Sequence, residues 1–269
     1  MNDKHQVISI LKKDAILSLL KKNERIDGRG LEDFREIEIY TNIYGKAEGS
    51  ARVHLGETKV VAGVKASIGT PFPDTPNIGV QVVNAELIPL ASSFFEAGPP
   101  GEEDIEFSRV IDRGIRSSGM IAIEKLALIP GKKVWMIFID MYPLDYHGNL
   151  MDAFGLVAVS ALLTCNIYKT EIVGDDVVVT EEKIPLPVNH VPVFVTIGKI
   201  QNKLIVDPNF EEELVLDAKI TYVVDENNNI CGIQKSGASG FTIDELLTAR
   251  DIAIKVASKI RKKLPLASR

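Results

Sequence analysis

Three arginines at helical spacing are the residues of this chain whose type and pattern point most directly to chemistry. Arg109, Arg113 and Arg116 stand at positions i, i+4 and i+7, which places them on one face of a predicted helix. A planar guanidinium binds phosphate oxygens in pairs and keeps its charge at physiological pH. The stripe therefore suits the backbone of a nucleic acid, and backbone contacts carry no base information.

A helix face that contacts only solvent would show the same spacing of arginines in the sequence. Arginines four residues apart repel each other by roughly a few tenths of a kcal/mol, so anions are expected close by. Glu106 lies three residues before Arg109 and Asp112 lies four before Arg116, whereas Arg113 has no acidic residue three or four positions away. The residues alone leave both interpretations open. The buried side of this helix is predicted to consist of Ile105, Val110, Ile111, Gly114 and Ile115.

The elements that must position this stripe follow from hydrophobic periodicity. Helical spacing predicts helices over residues 3–21, 102–118, 152–165 and 242–263. Alternating or continuous apolar runs predict strands over 35–40, 50–55, 60–64, 80–87, 134–142, 192–200, 203–206, 218–224 and 230–235. Turn residues at 56–58 and 225–229 predict hairpins. This order favours α/β or α+β sheets with helices packed on a face.

Composition limits the class of protein. The chain has 269 residues, of which 45% are hydrophobic and 25% charged, and no apolar run approaches the roughly 20 residues of a membrane span. The net charge of -6 argues against a chain coated in nucleic acid but allows a local basic groove. Cys165 and Cys231 lack CxxC spacing and are predicted to be buried reduced thiols, which favours the cytoplasm. The four histidines show no ligand spacing, so no metal site is expected.

Five segments, in the same order, resemble the ribonuclease PH superfamily. They are Arg25-Ile26-Asp27-Gly28-Arg29 followed by Arg35, the hairpin over 49–60, the arginine-bearing helix over 102–118, the strand over 134–142, and Val206-Asp207-Pro208-Asn209. The resemblance covers roughly residues 25 to 260. Within the superfamily, the chain resembles the non-catalytic ribonuclease-PH-like subunits of archaeal exosomes.

The resemblance implies an α/β (α+β) architecture, the duplicated ribonuclease PH fold, with mixed sheets and helices packed on their faces. It divides the chain into an N-terminal helical extension over 1–24, a first half over 25–165, a linker with connecting strands over 166–191 and a second half over 192–269. The implied partners are an active paralogue in a hetero-hexameric ring, RNA-binding cap proteins and single-stranded RNA. The arginines of the helix over 102–118 are implied to face the RNA backbone at the subunit interface.

The phosphate-binding turn of active relatives is degenerate here. Active members carry a Gly-Gly-Thr-Arg or Gly-Ser-Arg type of turn before the central helix, where backbone N–H groups favour an anion. This chain has Gly148-Asn149-Leu150-Met151-Asp152 instead. Leu150 replaces the hydroxyl and Met151 replaces the arginine, and neither binds phosphate. Asp152 is expected to add repulsion.

The paired carboxylates of active relatives are also lost. The family pattern places two aspartates six residues apart after the segment that matches Val206-Asp207-Pro208-Asn209, which puts Glu213 at the first position and Lys219 at the second. Lysine cannot hold a divalent cation beside a carboxylate and is expected to form an ion pair with it. A shifted alignment would bring Asp217 into the pair instead.

These features predict a non-catalytic exosome subunit that supports an active paralogue and binds the RNA backbone during phosphate-dependent 3′-to-5′ degradation. No catalytic residue, metal or cofactor is expected in this chain, and phosphate and Mg²⁺ are expected in the partner. One alternative is an active phosphorolytic exoribonuclease that uses Glu213 and Asp217. The other is an assembly subunit without RNA contacts.

Overall fold

The computed structural model describes residues 10–174 and 176–266. The first sheet contains six strands: β1 (Ile37–Thr41), β2 (Gly49–Leu55), β3 (Thr58–Gly69), β4 (Val80–Ala85), β5 (Ala127–Ile129) and β6 (Lys133–Asp145). Their order is β1-β2-β3-β6-β4, with β5 paired to β6. The pairing of β4 with β6 is parallel, and the other pairings are antiparallel.

A hairpin and a second sheet follow. The hairpin consists of β7 (Asn166–Val173) and β8 (Asp176–Pro185), and it lies in the segment predicted as a linker with connecting strands. The second sheet contains β9 (Val193–Ile200), β10 (Lys203–Val206), β11 (Ala218–Val224) and β12 (Ile230–Ser236), in the order β10-β9-β11-β12. All its pairings are antiparallel.

Helices fill the space between and beside the sheets. They are α1 (Ile10–Lys21), α2 (Glu102–Ser117), α3 (Leu150–Leu163), α4 (Phe210–Glu213) and α5 (Ile243–Arg261). Every residue of α3 is buried, because this helix contacts β2 and β3 of the first sheet and β9 of the second. Helix α2 lies against β4 and β12, and α5 packs on β9 and β11. Among the helices described, none is long and apolar enough to cross a bilayer.

A single aromatic ring fixes the packing of α2 and α3 on the second sheet. Phe194 of β9 is fully buried. A Cβ atom added to Gly114 of α2 or to Gly155 of α3 would lie 2.4 Å from this ring. Both helices therefore need glycine at the contact, and a larger residue at either position would push the helix away from the sheet.

The predicted mixed sheets with helices on their faces are confirmed. Strand β3 continues to Gly69, beyond the predicted end at residue 64, because it pairs with β6 as far as Val134. Both cysteines are free, but Cys231 is half-buried and not buried as predicted, since it lies on the edge strand β12. The predicted start of the first helix at Asp3 lies outside the described residues.

Candidate functional site

Helix α2 is held so that its arginine stripe faces outward. Its first turn is acidic, and the Asp104 side chain accepts a hydrogen bond from the backbone N–H of the N-cap residue Gly101. One flank is bonded to the end of β4 and the segment after it: Ala85 N donates to Ser108 Oγ at 2.8 Å and Leu87 N donates to Asp104 Oδ1 at 2.6 Å. These bonds fix the rotation of the helix about its axis.

The three arginines of the stripe are exposed but are not equivalent. Arg116 Nη2 donates to Asp112 Oδ1 at 2.9 Å, as its spacing predicts. Arg109 and Arg113 have no hydrogen bond or ion pair with any residue of the described ranges 10–174 and 176–266. Two of the three guanidinium groups are therefore available to an external anion.

The acidic neighbour expected to neutralise Arg109 is bonded elsewhere. Glu106 Oε1 accepts from Ser236 Oγ at 2.5 Å and from Gln234 Nε2 at 3.0 Å, both on β12. The prediction that Ile105 belongs to the buried side of α2 is wrong, because its side chain is 53% exposed. Ile105 lies four residues before Arg109, so the helical period places it on the exposed face that carries the stripe. The other predicted positions, Val110, Ile111, Gly114 and Ile115, are buried.

The turn over residues 148–151 is fixed by its own protein contacts. Gly148 has a φ of +87°, and a Cβ there would lie 2.5 Å from the backbone of Asn209 and Phe210, so only glycine fits. Its carbonyl oxygen accepts from Thr58 Oγ1 at 2.8 Å and from Arg35 Nη2 at 3.1 Å.

The side chains of this turn face the core. Leu150 and Met151 are each 4% exposed and belong to the main hydrophobic cluster. The expectation that Asp152 repels an anion at this turn needs correction, because Asp152 is fully buried and faces β9. Its carboxylate accepts from Thr196 N at 2.8 Å, Thr196 Oγ1 at 2.6 Å and Asn149 Nδ2 at 2.9 Å. Burial outweighs these bonds and raises the pKa of Asp152 to about 7.

Glu213 and Lys219 lie together, as predicted for an ion pair. Lys219 Nζ is 3.5 Å from Glu213 Oε1, and Tyr146 OH donates to Glu213 Oε2 at 2.7 Å. Burial by itself would lower the pKa of Lys219, but Glu213, Glu106 and Glu103 outweigh it and raise that pKa. The ammonium thus stays charged where active relatives are expected to place a second carboxylate, and these residues do not fit a divalent cation.

The alternative carboxylate, Asp217, is directed elsewhere. Its Oδ2 accepts from the backbone N–H of Gln201 at 2.5 Å, in the turn between β9 and β10. Among the residues that the structure describes, no group of three or more His, Cys, Asp or Glu side chains could hold a metal ion. Asp217 is thus bonded at the β9–β10 turn, whereas Glu213 is bonded to Lys219 and Tyr146.

An ionic network that the sequence analysis did not identify lies beside this centre. Asp207 is fully buried and has a φ of +51°. It accepts from Arg35 Nε at 2.9 Å, Arg35 Nη2 at 2.8 Å, Arg29 Nη1 at 3.0 Å and Asn149 Nδ2 at 2.7 Å. Burial by itself would raise the pKa of Asp207, but the bonds and charges of Arg35 and Arg29 lower it.

The same network joins three distant segments of the chain. Arg25 bonds to both carboxylate oxygens of Glu212 and to the carbonyl oxygens of Val206 and Asp207. The residues of the resembling motif over 25–35 therefore hold the N-terminal segment against β10 and α4. The motif over 25–35 identifies these arginines in the sequence. It does not identify their carboxylate partners, which lie 172 to 187 residues further along the chain.

Comparison with known proteins accounts for this combination of features. The sequence model of the 3′ exoribonuclease family, domain 1, matches residues 33–168, and that of domain 2 matches residues 190–256. The exosome complex component Rrp42 of Pyrococcus horikoshii is 48% identical over 260 residues, covering 96% of this chain and 95% of the relative. The Rrp42 of Methanothermobacter thermautotrophicus is 48% identical over 256 residues, covering 95% and 94%.

Solved structures show the same fold. A chain of the Archaeoglobus fulgidus exosome with RNA bound to the active site superposes with a TM-score of 0.87 at 44% identity, covering 94% of this chain and 97% of that chain. A chain of an archaeal exosome core gives a TM-score of 0.83 at 42% identity, with coverages of 94% and 96%. The resemblance stated from the sequence is confirmed, and this chain belongs to the 3′ exoribonuclease family of ribonuclease PH domains.

Proposed function

We propose that this chain is a non-catalytic ring subunit of an archaeal-type exosome that supports an active ribonuclease-PH-like paralogue. The observation that carries this proposal is the ammonium of Lys219, which lies 3.5 Å from Glu213 where a second carboxylate would be needed. Similarity to exosome components over nearly the whole chain supports the ring role. The paralogue holds phosphate and Mg²⁺ and releases nucleoside diphosphates in the cytoplasm, and cap proteins deliver the RNA.

The proposed contribution of this chain to RNA binding is electrostatic. Arg109 and Arg113 are exposed on α2 without an internal anion, so their charges are available to phosphate oxygens. Arg116 contributes less, because its guanidinium is already bonded to Asp112. Contacts of this kind hold the RNA backbone without reading bases.

Two other functions are less well supported. An active exoribonuclease that uses Glu213 and Asp217 conflicts with the bond from Gln201 to Asp217, which directs that carboxylate to another turn. An assembly subunit without RNA contacts requires internal anions for the stripe, and Glu106 is committed to Ser236 and Gln234.

The first test is release of nucleoside diphosphates from poly(A) by the purified chain, with phosphate and magnesium and no paralogue present. We expect no turnover by this chain alone and turnover when an active paralogue is added. Turnover by the chain alone would contradict the non-catalytic assignment and would place an active site elsewhere in it.

The second test is RNA binding by the assembled ring that carries both Arg109→Glu and Arg113→Glu. The affinity should fall for all RNA sequences, and the slope of log affinity against log salt should flatten by about 1.4, from about 0.7 per lost phosphate contact. Arg250→Glu on α5, where the side chain is 42% exposed and paired with Asp251, is the matched control. An unchanged salt slope in the double variant would favour the assembly-only alternative.

A further inference from the structure

We propose that Lys219 is a positioning residue for RNA binding: its charge holds the carboxylate of Glu106 on the second sheet and so leaves Arg109 free for phosphate. The inference rests on the proposed function and deepens it, because it gives the lysine of the degenerate centre a part in the work of the arginine stripe. Its basis is the choice that Glu106 has between a cation on its own helix and a cation on the second sheet.

A cation lies next to Glu106 on α2 itself. Arg109 follows Glu106 by three positions, and side chains at that spacing are neighbours on a helix surface. An ion pair between the two would neutralise one of the two guanidinium groups that the stripe offers to RNA. Arg109 nevertheless has no ion pair or hydrogen bond within residues 10–174 and 176–266. The fold therefore directs Glu106 to other partners.

The hydrogen-bond donors that Glu106 uses instead lie on β12 and are neutral. Its Oε1 accepts from Ser236 Oγ at 2.5 Å and from Gln234 Nε2 at 3.0 Å. A bond from the guanidinium of Arg109 would be charge-assisted, and such bonds are stronger than bonds from neutral donors. The position of Glu106 on β12 thus calls for a positive charge close to these two donors.

Lys219 supplies that positive charge. It lies directly opposite Ser236 in the pairing of β11 with β12, and it is half-buried. Burial by itself would lower the pKa of Lys219, but three carboxylates outweigh burial and raise it: those of Glu213, Glu106 and Glu103. The ammonium therefore attracts Glu106 toward β12, and salt screens a partly buried attraction less than an exposed one.

Loss of this ammonium would release Glu106 toward the stripe. Lys219 is the cation that Glu103, Glu106 and Glu213 share. Even in its presence, burial and the neighbouring carboxylates raise the pKa of Glu103, although Lys219 lowers it. Without the lysine, like charges would repel Glu106 from the second sheet, and Arg109 is the unpaired cation one turn away on the same helix.

The first measurement is equilibrium binding of single-stranded RNA, without phosphate, by the assembled ring in which this chain carries Lys219→Met. We expect the affinity to fall about two- to fivefold, because an exposed ion pair between Glu106 and Arg109 must then break before RNA binds. The slope of log affinity against log salt should flatten by up to about 0.7, the share of one phosphate contact. Lys219→Arg keeps the charge and should keep the wild-type affinity.

A double-mutant cycle with Glu106→Gln separates this role from general support of the fold. Glutamine can still accept the bonds from β12, but it cannot neutralise Arg109. Lys219→Met should therefore leave the RNA affinity unchanged in the Glu106→Gln background. A loss of affinity caused by disturbance of the second sheet would persist there.

One matched control and one second variant complete the series. Lys199→Met removes another half-buried lysine from the second sheet, but its partner Glu245, at 2.7 Å, lies on α5, which carries no stripe. This control should bind RNA as the wild type does. Ser236→Ala removes the shorter bond to Glu106 and leaves Lys219 in place. It should lower the affinity in the same direction as Lys219→Met, and only while Glu106 is present.

Three results would overturn the inference: wild-type RNA affinity in Lys219→Met, a loss that persists with Glu106→Gln, or an equal loss in Lys199→Met. If Lys219→Met rings do not assemble, wild-type affinity in Ser236→Ala overturns it instead. Rings with Arg109→Glu and Arg113→Glu belong in the same series. If they bind RNA as the wild type does, the proposed function fails and this inference with it. If they are impaired and Lys219→Met is not, only this inference fails.

Discussion

Two groups of arginines in this chain have opposite electrostatic surroundings. Arg25, Arg29 and Arg35 are buried or half-buried, and each bonds to at least one carboxylate. Arg109 and Arg113 are exposed on α2, and no carboxylate of the described chain bonds to them. The residue type is the same in both groups, and the position of the counter-charges differs.

In the group formed by Arg25, Arg29 and Arg35, carboxylates balance the arginine charges. Its three arginines face three carboxylates: Asp27, Asp207 and Glu212. For Asp27, burial would raise the pKa, but the bonds and charge of Arg29 lower it to about 2. Such a network has no charge left for a ligand, so its role is to join segments of the fold. The α2 stripe keeps two charges for an external anion.

The largest effect is expected from removing the central counter-ion of the network. Asp207→Asn leaves Arg35 and Arg29 without their shared carboxylate in a buried site. Loss of one partner of a buried ion pair typically costs about 3–5 kcal/mol, so the free energy of unfolding at pH 7 should fall by that amount. Denaturant unfolding followed by circular dichroism measures it.

The control is a carboxylate in an exposed pair. Asp251→Asn removes the partner of Arg250, and the expected change is below about 1 kcal/mol. A loss in Asp207→Asn as small as that of the control would mean that the network is not a structural clamp. The comparison between the two arginine groups would then have no energetic basis.

A second prediction compares two carboxylates that share one hydrogen-bond donor. Asn149 Nδ2 donates to both Asp207 and Asp152. Arginine bonds lower the pKa of Asp207. Burial and the nearby charge of Asp207 raise the pKa of Asp152 to about 7, and the hydrogen bonds from the neutral donors of Thr196 and Asn149 oppose this rise without cancelling it. The two groups therefore respond to pH in opposite directions.

The raised pKa of Asp152 determines whether this group stabilises or destabilises the fold as pH rises. The folded state retains a proton on Asp152 that the unfolded state loses near pH 4, so this group destabilises the fold as pH rises from about 4 to 7. The difference between a pKa of about 7 and the ordinary value near 4 sets a ceiling of about 4 kcal/mol, and we expect the free energy of unfolding to fall by about 1–3 kcal/mol. Unfolding free energies of wild type and Asp152→Asn across this range measure it.

The Asp152→Asn variant separates the pH dependence due to Asp152 from that due to Asp207. Asp152→Asn should remove this descending slope, whereas the stability contributed by Asp207 is lost only as pH falls below about 4, through its lowered pKa. Parallel pH profiles for wild type and Asp152→Asn between pH 4 and 7 would contradict the raised pKa.

The sequence predicted the exposed stripe well because helical spacing is a local property. Arg109 and Arg113 lie one turn apart, so their common face follows from the period of the helix. Ile105 was misplaced because its apolar side chain was given more weight than its spacing, which puts it four residues before Arg109 on the exposed face. The half-burial of Cys231 depends instead on β12 being an edge strand, which is a tertiary property.

The ionic network was beyond sequence reasoning for the opposite reason. The motif over 25–35 was recognised, but Asp207 and Glu212 reach it only through the folded chain. Asp152 was expected at the mouth of the turn, and the N-cap conformation of Asn149 places it in the core. The Glu213–Lys219 pair was predicted correctly, because only six positions separate the last residue of α4 from the second residue of β11.

The smallest expected effect concerns the stability of the stripe variants. Because Arg109 and Arg113 have no internal partner, the combined Arg109→Glu and Arg113→Glu variant replaces the repulsion of two guanidinium groups by that of two carboxylates, one of them three residues from Glu106. We expect a change in unfolding free energy within about 0.5 kcal/mol, since exposed sites without contacts contribute little. Denaturant unfolding of the isolated chain measures it alongside Asp207→Asn. A loss of about 2 kcal/mol or more would show that the stripe is structural in the isolated chain, and a fall in RNA affinity could then be attributed to misfolding.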